Sequence, residues 1–354
     1  MLNIIAPINQ LGYGQVGTHL VVELMKDVEV SLFPIGDRID AQHQYSDTLK
    51  RAVINAEFYD VNDHCIRVWH QFDLAKFVGR GEHIGFPIFE LNKFTKRETH
   101  HLNQCDRLFV CSEWARNVVK SGGIGSTVNV IPLGVDLDIF KPKISKRQDT
   151  IFFTAGKLEK RKGHKEVVDA FNTAFNNDDN VQLWMMIDNP FLPNMKIDDW
   201  KSHVRSSKLG DKITFIPYQP TQTDVARVMQ QTDCGIFLSR AEGWNLEALE
   251  MLACGKEIII TNYSGHTQFC TEENSHLIDI DLMEVAKDGI WFNGQGEWAT
   301  LGRSQMEDTV EKMRKIHLDK RENGGIMNHD GVSTANEFTW NNMATTILNT
   351  LRRK

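Results

Sequence analysis

Short apolar runs alternate with amphipathic stretches along this chain, and the alternation begins twice. Candidate strands at 2–6, 28–34, 65–69, 83–86, 107–111 and 127–131 are interleaved with helical stretches at 17–26 and 113–121. A polar stretch from Lys143 to Asp149 interrupts the pattern. It then restarts with strand 150–154, helix 164–176, strand 181–187, helix 199–208, strand 212–216 and helix 221–231. Such alternation is the mark of βαβ units, so the chain is expected to be α/β, with two doubly wound parallel sheets joined near residue 148. At 354 residues it is long enough to bury two cores. The end of the chain, from Phe338 on, reads as an amphipathic helix.

The second series ends in its most informative segment. An apolar strand at 233–239 is followed by Ala241-Glu242-Gly243-Trp244-Asn245-Leu246-Glu247-Ala248-Leu249-Glu250, and a further strand at 257–261 follows Gly255. Leu246, Leu249, Leu252 and Ala253 have helical spacing, which predicts a helix from about Asn245 to Gly255. Glu242 then sits in the turn after a strand and Glu250 on the helix that the turn opens. That corner is the carboxyl edge of a parallel sheet, where open α/β folds bind ligands. Two carboxylates beside a helix N-terminus suit a ligand with sugar hydroxyls and a phosphate. The turn after strand 150–154 carries Lys157, Lys160, Arg161 and Lys162, enough positive charge to neutralise a diphosphate, and Gly163 lets the next helix start close by. A solvated charged turn would have the same composition; the neighbouring acids favour the site.

Bulk properties narrow the alternatives. The net charge of −7 gives no general attraction to nucleic acid or anionic membrane, though a local basic patch remains open. The N-terminus reads as a first strand rather than a signal peptide, and no apolar stretch reaches bilayer length. The six cysteines form no Cys-x-x-Cys pair and lie mostly in apolar segments, as expected of reduced, buried thiols in a cytosolic protein.

These motifs together resemble the retaining "group 1" glycosyltransferases (family 4). The two glutamates match that family's donor motif, and Gly156-Lys157-Leu158-Glu159-Lys160-Arg161-Lys162-Gly163 matches its basic donor-phosphate loop. Ile131-Pro132-Leu133-Gly134-Val135-Asp136 matches its interdomain connector, and Asn262-Tyr263-Ser264-Gly265-His266-Thr267 its small-residue turn. The resemblance spans nearly the whole chain. It implies the GT-B fold: two Rossmann-like domains facing across a cleft, here 1–148 on the acceptor side and 149–335 on the nucleotide-sugar side, with the helix at 336–354 crossing back onto the first. It further implies a hexosyl- or pentosyltransferase that retains anomeric configuration. Lys162 and Lys157 would serve the leaving group, Lys157 standing where the family usually has arginine and so lacking the planar fork, a loss that Arg161 offsets. Glu242 would bind donor-sugar hydroxyls and Glu250 the ribose. The backbone of Trp244, Asn245 and Leu246 would face the diphosphate, with Gly163 in the loop and the stretch around Tyr218 near the base. The donor, a UDP- or GDP-sugar, is a substrate, and no cofactor or metal is implied. The compact chain also resembles phage-type members, some of which glycosylate modified DNA, so DNA joins glycans, proteins and small molecules among candidate acceptors.

Other motifs are weighed against this. Gly12, Gly14 and Gly17 with Asp37 fit the dinucleotide fingerprint and hence an NAD-dependent oxidoreductase. The stronger motifs lie in the second domain, and family members carry a glycine-rich loop at this first turn too, so Gly14 is assigned to the donor phosphate. His70, at a strand end, is assigned to the donor sugar, with Glu90 a second candidate nearby. Lys93, Lys96, Arg97, His100 and His101 share one face if that stretch is helical, and Glu90, Lys93 and Arg97 are the candidate acceptor contacts. Asp136-x-Asp138 and Asp279-x-Asp281 resemble metal-binding pairs, but the pattern is short and common by chance. A nucleotide-sugar epimerase or phosphorylase on the same fold, or a non-catalytic sugar-nucleotide sensor, would share most of these features.

Overall fold

A computed structural model describes residues 1–36 and 39–352. Asp37, the acid expected to complete the dinucleotide fingerprint, lies outside the described residues. The chain divides into two compact units, Met1–Gly134 with Phe338–Lys354, and Val135–Glu337.

The first unit runs β1 (Leu2–Pro7), α1 (Gly12–Leu24), β2 (Val30–Ile35), α2 (Ser46–Asn55), β3 (Cys65–Val68), β4 (His83–Phe86), α3 (Lys96–Leu102), β5 (Arg107–Val110), α4 (Glu113–Ser121) and β6 (Thr127–Val130). Its strands form one parallel sheet in the order β2-β1-β3-β4-β5-β6. The order reverses between β1 and β3, so the loops after those strands flank the switch point. Helix α1 begins at Gly12 rather than at residue 17. The glycine-rich stretch is the helix's own first turn: a Cβ on Gly14 would lie 2.3 Å from the Asn9 carbonyl oxygen, and one on Gly17 would lie 2.2 Å from that of Pro7. Only glycines let this helix press against the end of β1.

The second unit runs β7 (Thr150–Lys157), α5 (His164–Ala174), β8 (Val181–Asp188), α6 (Asn194–Arg205), β9 (Ile213–Phe215), α7 (Gln222–Met229), β10 (Cys234–Phe237), α8 (Leu246–Ala253), β11 (Glu257–Thr261), β12 (His276–Ile278), β13 (Met283–Lys287), β14 (Asn293–Ala299), α9 (Arg303–Asn323) and α10 (His329–Glu337). Its main sheet is parallel in the order β12-β11-β10-β7-β8-β9, and β13 pairs antiparallel with β14 as a separate hairpin. The reversal falls between β7 and β10, which brings the basic loop and the Glu242 turn to the two sides of one switch point. Helices α5 and α9 pack together, with Phe171, Val310, Met313 and Ile316 buried in the same core cluster.

The units part at Gly134/Val135, not near residue 148. The polar stretch before β7 belongs to the second unit because it is tied down there: the Lys143 amide donates to the Cys254 carbonyl at 3.2 Å, and the Lys256 amine donates to the Lys143 carbonyl at 2.6 Å. The final helix, α11 (Trp340–Arg352), packs on α1 of the first unit, with Trp340 stacked on His19 at 4.6 Å. All six cysteines are buried and free of disulfides. Among the described residues, no helix is long and apolar enough to cross a membrane.

Candidate functional site

At the switch point of the second unit, β7 delivers Gly156 and Lys157, and a single tight turn (Lys160–Lys162) leads through Gly163 into α5. Gly163 has φ +68°, and a Cβ there would lie 2.1 Å from the Leu238 carbonyl oxygen, so glycine is required where the loop crosses β10's end. From the other side, the turn after β10 presents Glu242. The Lys162 Nζ lies 2.8 Å from Glu242 Oε1, and the Arg161 Nη1 donates to Glu242 Oε2 at 2.8 Å. Ser239 Oγ donates to Oε1 at 2.7 Å. All three ionic side chains are less than a tenth exposed. Burial alone would push the Glu242 carboxyl up, but Arg161 and Lys162 outweigh it and hold it well below the usual carboxylate range. Burial would likewise lower the Lys162 amine, yet Glu242 and Glu247 keep it above its ordinary value. The group is a charged cluster at neutral pH.

The acids are held in turn by the backbone. Ser264 Oγ accepts from the Glu242 amide at 2.8 Å, and the Gly265 amide donates to the Glu242 carbonyl at 2.9 Å. A Cβ on Gly265 would lie 2.2 Å from the Gly243 carbonyl oxygen, which accounts for the small residues of this turn. Asn245 adopts φ +85°, a conformation asparagine tolerates, and its side chain caps α8 by accepting from the Ala248 amide at 3.3 Å. Leu246 is the first residue of α8. Trp244 turns its ring into the core, 4.9 Å from Phe269, so only its backbone faces the turn. Glu250 lies one turn further along α8. Burial and the neighbouring Glu247 push its carboxyl well above the usual range.

Arg161 and Lys157 sit in different surroundings. The guanidinium of Arg161 donates to Glu242 and the Ala241 carbonyl, both at 2.8 Å, and to Glu159 at 3.1 Å, so these donors are used within the site itself. Lys157 is partly exposed, with its ammonium 5.0 Å over the ring of Phe191. Tyr218, after β9, is 63% exposed. Sequence reasoning missed Glu247, which lies within the motif and has its Oε1 3.6 Å from Lys162, and Ser239, which ends the preceding apolar strand. His164, which opens α5, is buried neutral, its ring nitrogens at 3.1 Å from the Lys157 carbonyl and 3.4 Å from Thr154 Oγ1. Burial and Lys162 pull it down to about 4. The two Asp-x-Asp stretches are used locally: Asp136 accepts from the Asp138 amide, Asp279 from Asn262 and Asp281 from Gln305.

The first unit gathers a second set at its own switch point. Tyr13, beside Gly14, lies 5.6 Å from Trp69 and 4.7 Å from His70, ring to ring, and its hydroxyl donates to the Ile88 carbonyl at 2.5 Å. Burial and the Glu90 carboxylate hold the Tyr13 hydroxyl protonated, well above its ordinary value. His70 stacks on Phe72 at 5.0 Å, and the Arg97 guanidinium lies 5.7 Å over Phe72. Helix α3 starts only at Lys96, because Thr95 and Glu98 form a capping box, so Lys93 precedes the helix and is not on its face. Lys93, Lys96, Arg97 and His100 are exposed, and His101 is partly covered.

Comparison with known proteins agrees with this geometry. Residues 136–290 match the family model of glycosyl transferases group 1. The matched stretch lies in the second unit and spans both the basic loop and the Glu242 turn. Similar proteins include the D-inositol 3-phosphate glycosyltransferase of Jonesia denitrificans, 24% identical over 237 residues, which are 62% of this chain and 50% of that protein. The mannosylfructose-phosphate synthase of Agrobacterium fabrum is 23% identical over 196 residues, 50% of this chain and 43% of that one. The chain thus spans about half the length of the first of these relatives. Among solved structures, Anabaena Alr3699/HepE in complex with UDP and glucose superposes with a TM-score of 0.72 at 14% identity, covering 100% of this chain and 99% of that one. The sucrose-phosphate synthase of Thermosynechococcus elongatus gives 0.71 at 15% identity, covering 99% and 98%. The fold is GT-B, each unit a Rossmann-like parallel sheet.

Proposed function

We propose that this protein transfers a sugar from a nucleotide-diphosphate sugar to an acceptor hydroxyl, retaining anomeric configuration and using no metal. The observation that carries the reading is the Lys162 ammonium, buried at the switch point between Glu242 and Glu247. A charged amine there is poised for a phosphate oxygen, and α8 points its N-terminus at the same corner. Glu242 has about four lone-pair sites. Lys162 and Ser239 occupy Oε1 and Arg161 occupies Oε2, which leaves Oε2 able to accept from a sugar hydroxyl. Glu250 suits a ribose hydroxyl.

In the proposed step the bond from C1 to the diphosphate oxygen breaks, with its electron pair going to the leaving group. The sugar passes through an oxocarbenium-like state while Lys162 and Lys157 take up the growing negative charge. The acceptor oxygen bonds C1 from the same face, and its proton passes to the departing phosphate. The exposed Lys93, Arg97 and His100 favour a phosphate-bearing acceptor. Two relatives support this, being named for inositol 3-phosphate and mannosylfructose-phosphate. The UDP and glucose bound in the Anabaena HepE structure favour a UDP-sugar as donor.

The test is a hydrolysis screen of UDP-, GDP- and ADP-sugars without acceptor, followed by phosphorylated sugars, neutral glycans and hydroxymethylated DNA with the donor that turns over. The proposal expects acceptor-dependent release of nucleoside diphosphate and a product of unchanged anomeric configuration. Conversion of the donor with no acceptor would indicate an epimerase, a requirement for inorganic phosphate a phosphorylase, and binding without turnover a sensor.

A further inference from the structure

We propose that the β13–β14 hairpin is a positioning element for the basic loop, with Arg240 as the clasp between them. This rests on the reading of that loop as the donor-phosphate site. Arg240 is buried in the turn between β10 and Glu242, and each of its arms reaches a different element. Its Nη2 meets Glu166 of α5 at 2.8 Å, its Nε meets Glu284 of β13 at 3.1 Å, and its Nη1 donates to the Lys160 carbonyl at 2.8 Å. Its backbone is used as fully: the Arg240 amide donates to the Arg161 carbonyl at 2.7 Å, and its carbonyl accepts from the Ala299 amide of β14 at 2.9 Å.

The consequence lies in which loop atoms are held. The Lys160 and Arg161 carbonyls belong to the two peptide units on either side of Arg161. With both planes fixed by one residue, the φ and ψ of Arg161 are fixed, because a chain has only those two soft torsions per residue. That backbone setting aims the Arg161 and Lys162 side chains together at Glu242. Within the loop's own backbone, the Lys162 and Gly163 amides close one short turn, and the adjacent cations repel.

Arg240 in turn depends on the hairpin. Glu284 Oε1 accepts from Trp298 Nε1 at 2.8 Å as well as from Arg240, and lies 3.4 Å from the Lys160 ammonium, which sits 5.4 Å over the fully buried Trp298 ring. Glu284 and Trp298 face each other across the hairpin ladder. The hairpin therefore supplies a second carboxylate for Arg240, beside Glu166, and a wall against which Lys160 rests. Arg240 and Glu284 are positioning residues, and neither is assigned a contact with substrate.

The experiment combines amide hydrogen exchange over residues 157–163 with donor hydrolysis kinetics, on the full chain, for Arg240→Ala, Arg240→Lys and Glu284→Gln. Positioning predicts that Arg240→Ala speeds exchange of the Lys162 and Gly163 amides at least about tenfold while the β7 and β8 amides stay protected. It also predicts a fall in kcat/KM of about a hundredfold, the scale of misplacing a catalytic group by an ångström, carried mainly by kcat. Arg240→Lys, which keeps the charge but has one arm, should recover part of the loss. Glu284→Gln, which keeps an acceptor for Trp298, should fall between. Unchanged loop exchange in Arg240→Ala, or wild-type turnover per folded molecule, would overturn the proposal. If the wild-type protein turned over no nucleotide sugar, the exchange result would still decide the positioning claim, and only the phosphate reading would fail.

Discussion

Lys162 and Glu242 should be strongly coupled in stability yet not interchangeable in function. Their side chains are 9% and 7% exposed, so solvent screens the pair little. Removing one partner of a buried ion pair costs about 3–5 kcal/mol. Lys162→Met leaves Glu242 with Arg161 at 2.8 Å and Ser239 at 2.7 Å, which places the expected cost near the low end, about 3 kcal/mol. Glu242→Gln leaves Lys162 with Glu247 at 3.6 Å alone and should cost about as much. In the double variant no stranded charge remains from this pair, so its cost should fall short of the sum by about 2 kcal/mol. Hydrogen exchange of the β7 and β10 amides under mild urea measures this locally, without requiring both units to unfold in one step. Activity should behave differently: each single change lowers kcat/KM for the donor by about a hundredfold, and the double variant recovers none of it, since the reaction needs both charges. Additive stability costs, within about 0.5 kcal/mol, would refute the view that these side chains form one electrostatic unit.

Three further outcomes follow from the same geometry. Because the folded Glu242 carboxyl lies below its ordinary value of 4.5, its contribution is complete above that value and is lost as pH falls beneath it, so Glu242→Gln should flatten the acid limb of the unit's stability profile. Glu250 has the opposite sign. Its raised carboxyl contributes fully below 4.5 and loses that contribution as pH rises, so the thermal midpoint of Glu250→Gln relative to wild type should be higher at pH 8 than at pH 5, while nucleotide affinity falls about tenfold. At Gly156, φ is +117° and an added Cβ would lie 3.1 Å from Lys162 Cε and 3.3 Å from Glu247 Oε1, so Gly156→Ala should destabilise the unit by about 1–3 kcal/mol and weaken nucleoside diphosphate binding in calorimetry.

What could be read from the residues follows from how local each signal is. The buried strands are near-continuous apolar runs, Ile258-Ile259-Ile260 among them, and their two series predicted both sheets. The basic loop and Glu242 were legible because each motif lies within a dozen residues, and the fold's switch point brings them together. Helix α9 went unread because its buried side is a thin stripe, Val310, Met313 and Ile316, in an otherwise charged sequence. The β13–β14 hairpin is largely exposed and glycine-containing, and α2 buries only Leu49 and Ala52. The start of α1 was misplaced because glycines ordinarily signal loops, whereas here they permit close packing. The exclusion of Lys93 from α3 was readable: Thr95-Lys96-Arg97-Glu98 has the spacing of a capping box. The roles of Arg161 and Arg240 had no local signal, since their partners Glu242, Glu166 and Glu284 lie 81, 74 and 44 residues away.

A crystal structure with bound UDP tests the central claim most directly. The account predicts the β-phosphate within hydrogen-bonding distance of the Lys162 Nζ, near Lys157 and the α8 N-terminus, with the ribose at Glu250. A diphosphate bound away from β7 and β10, with the Lys162–Glu242 cluster untouched, would contradict it.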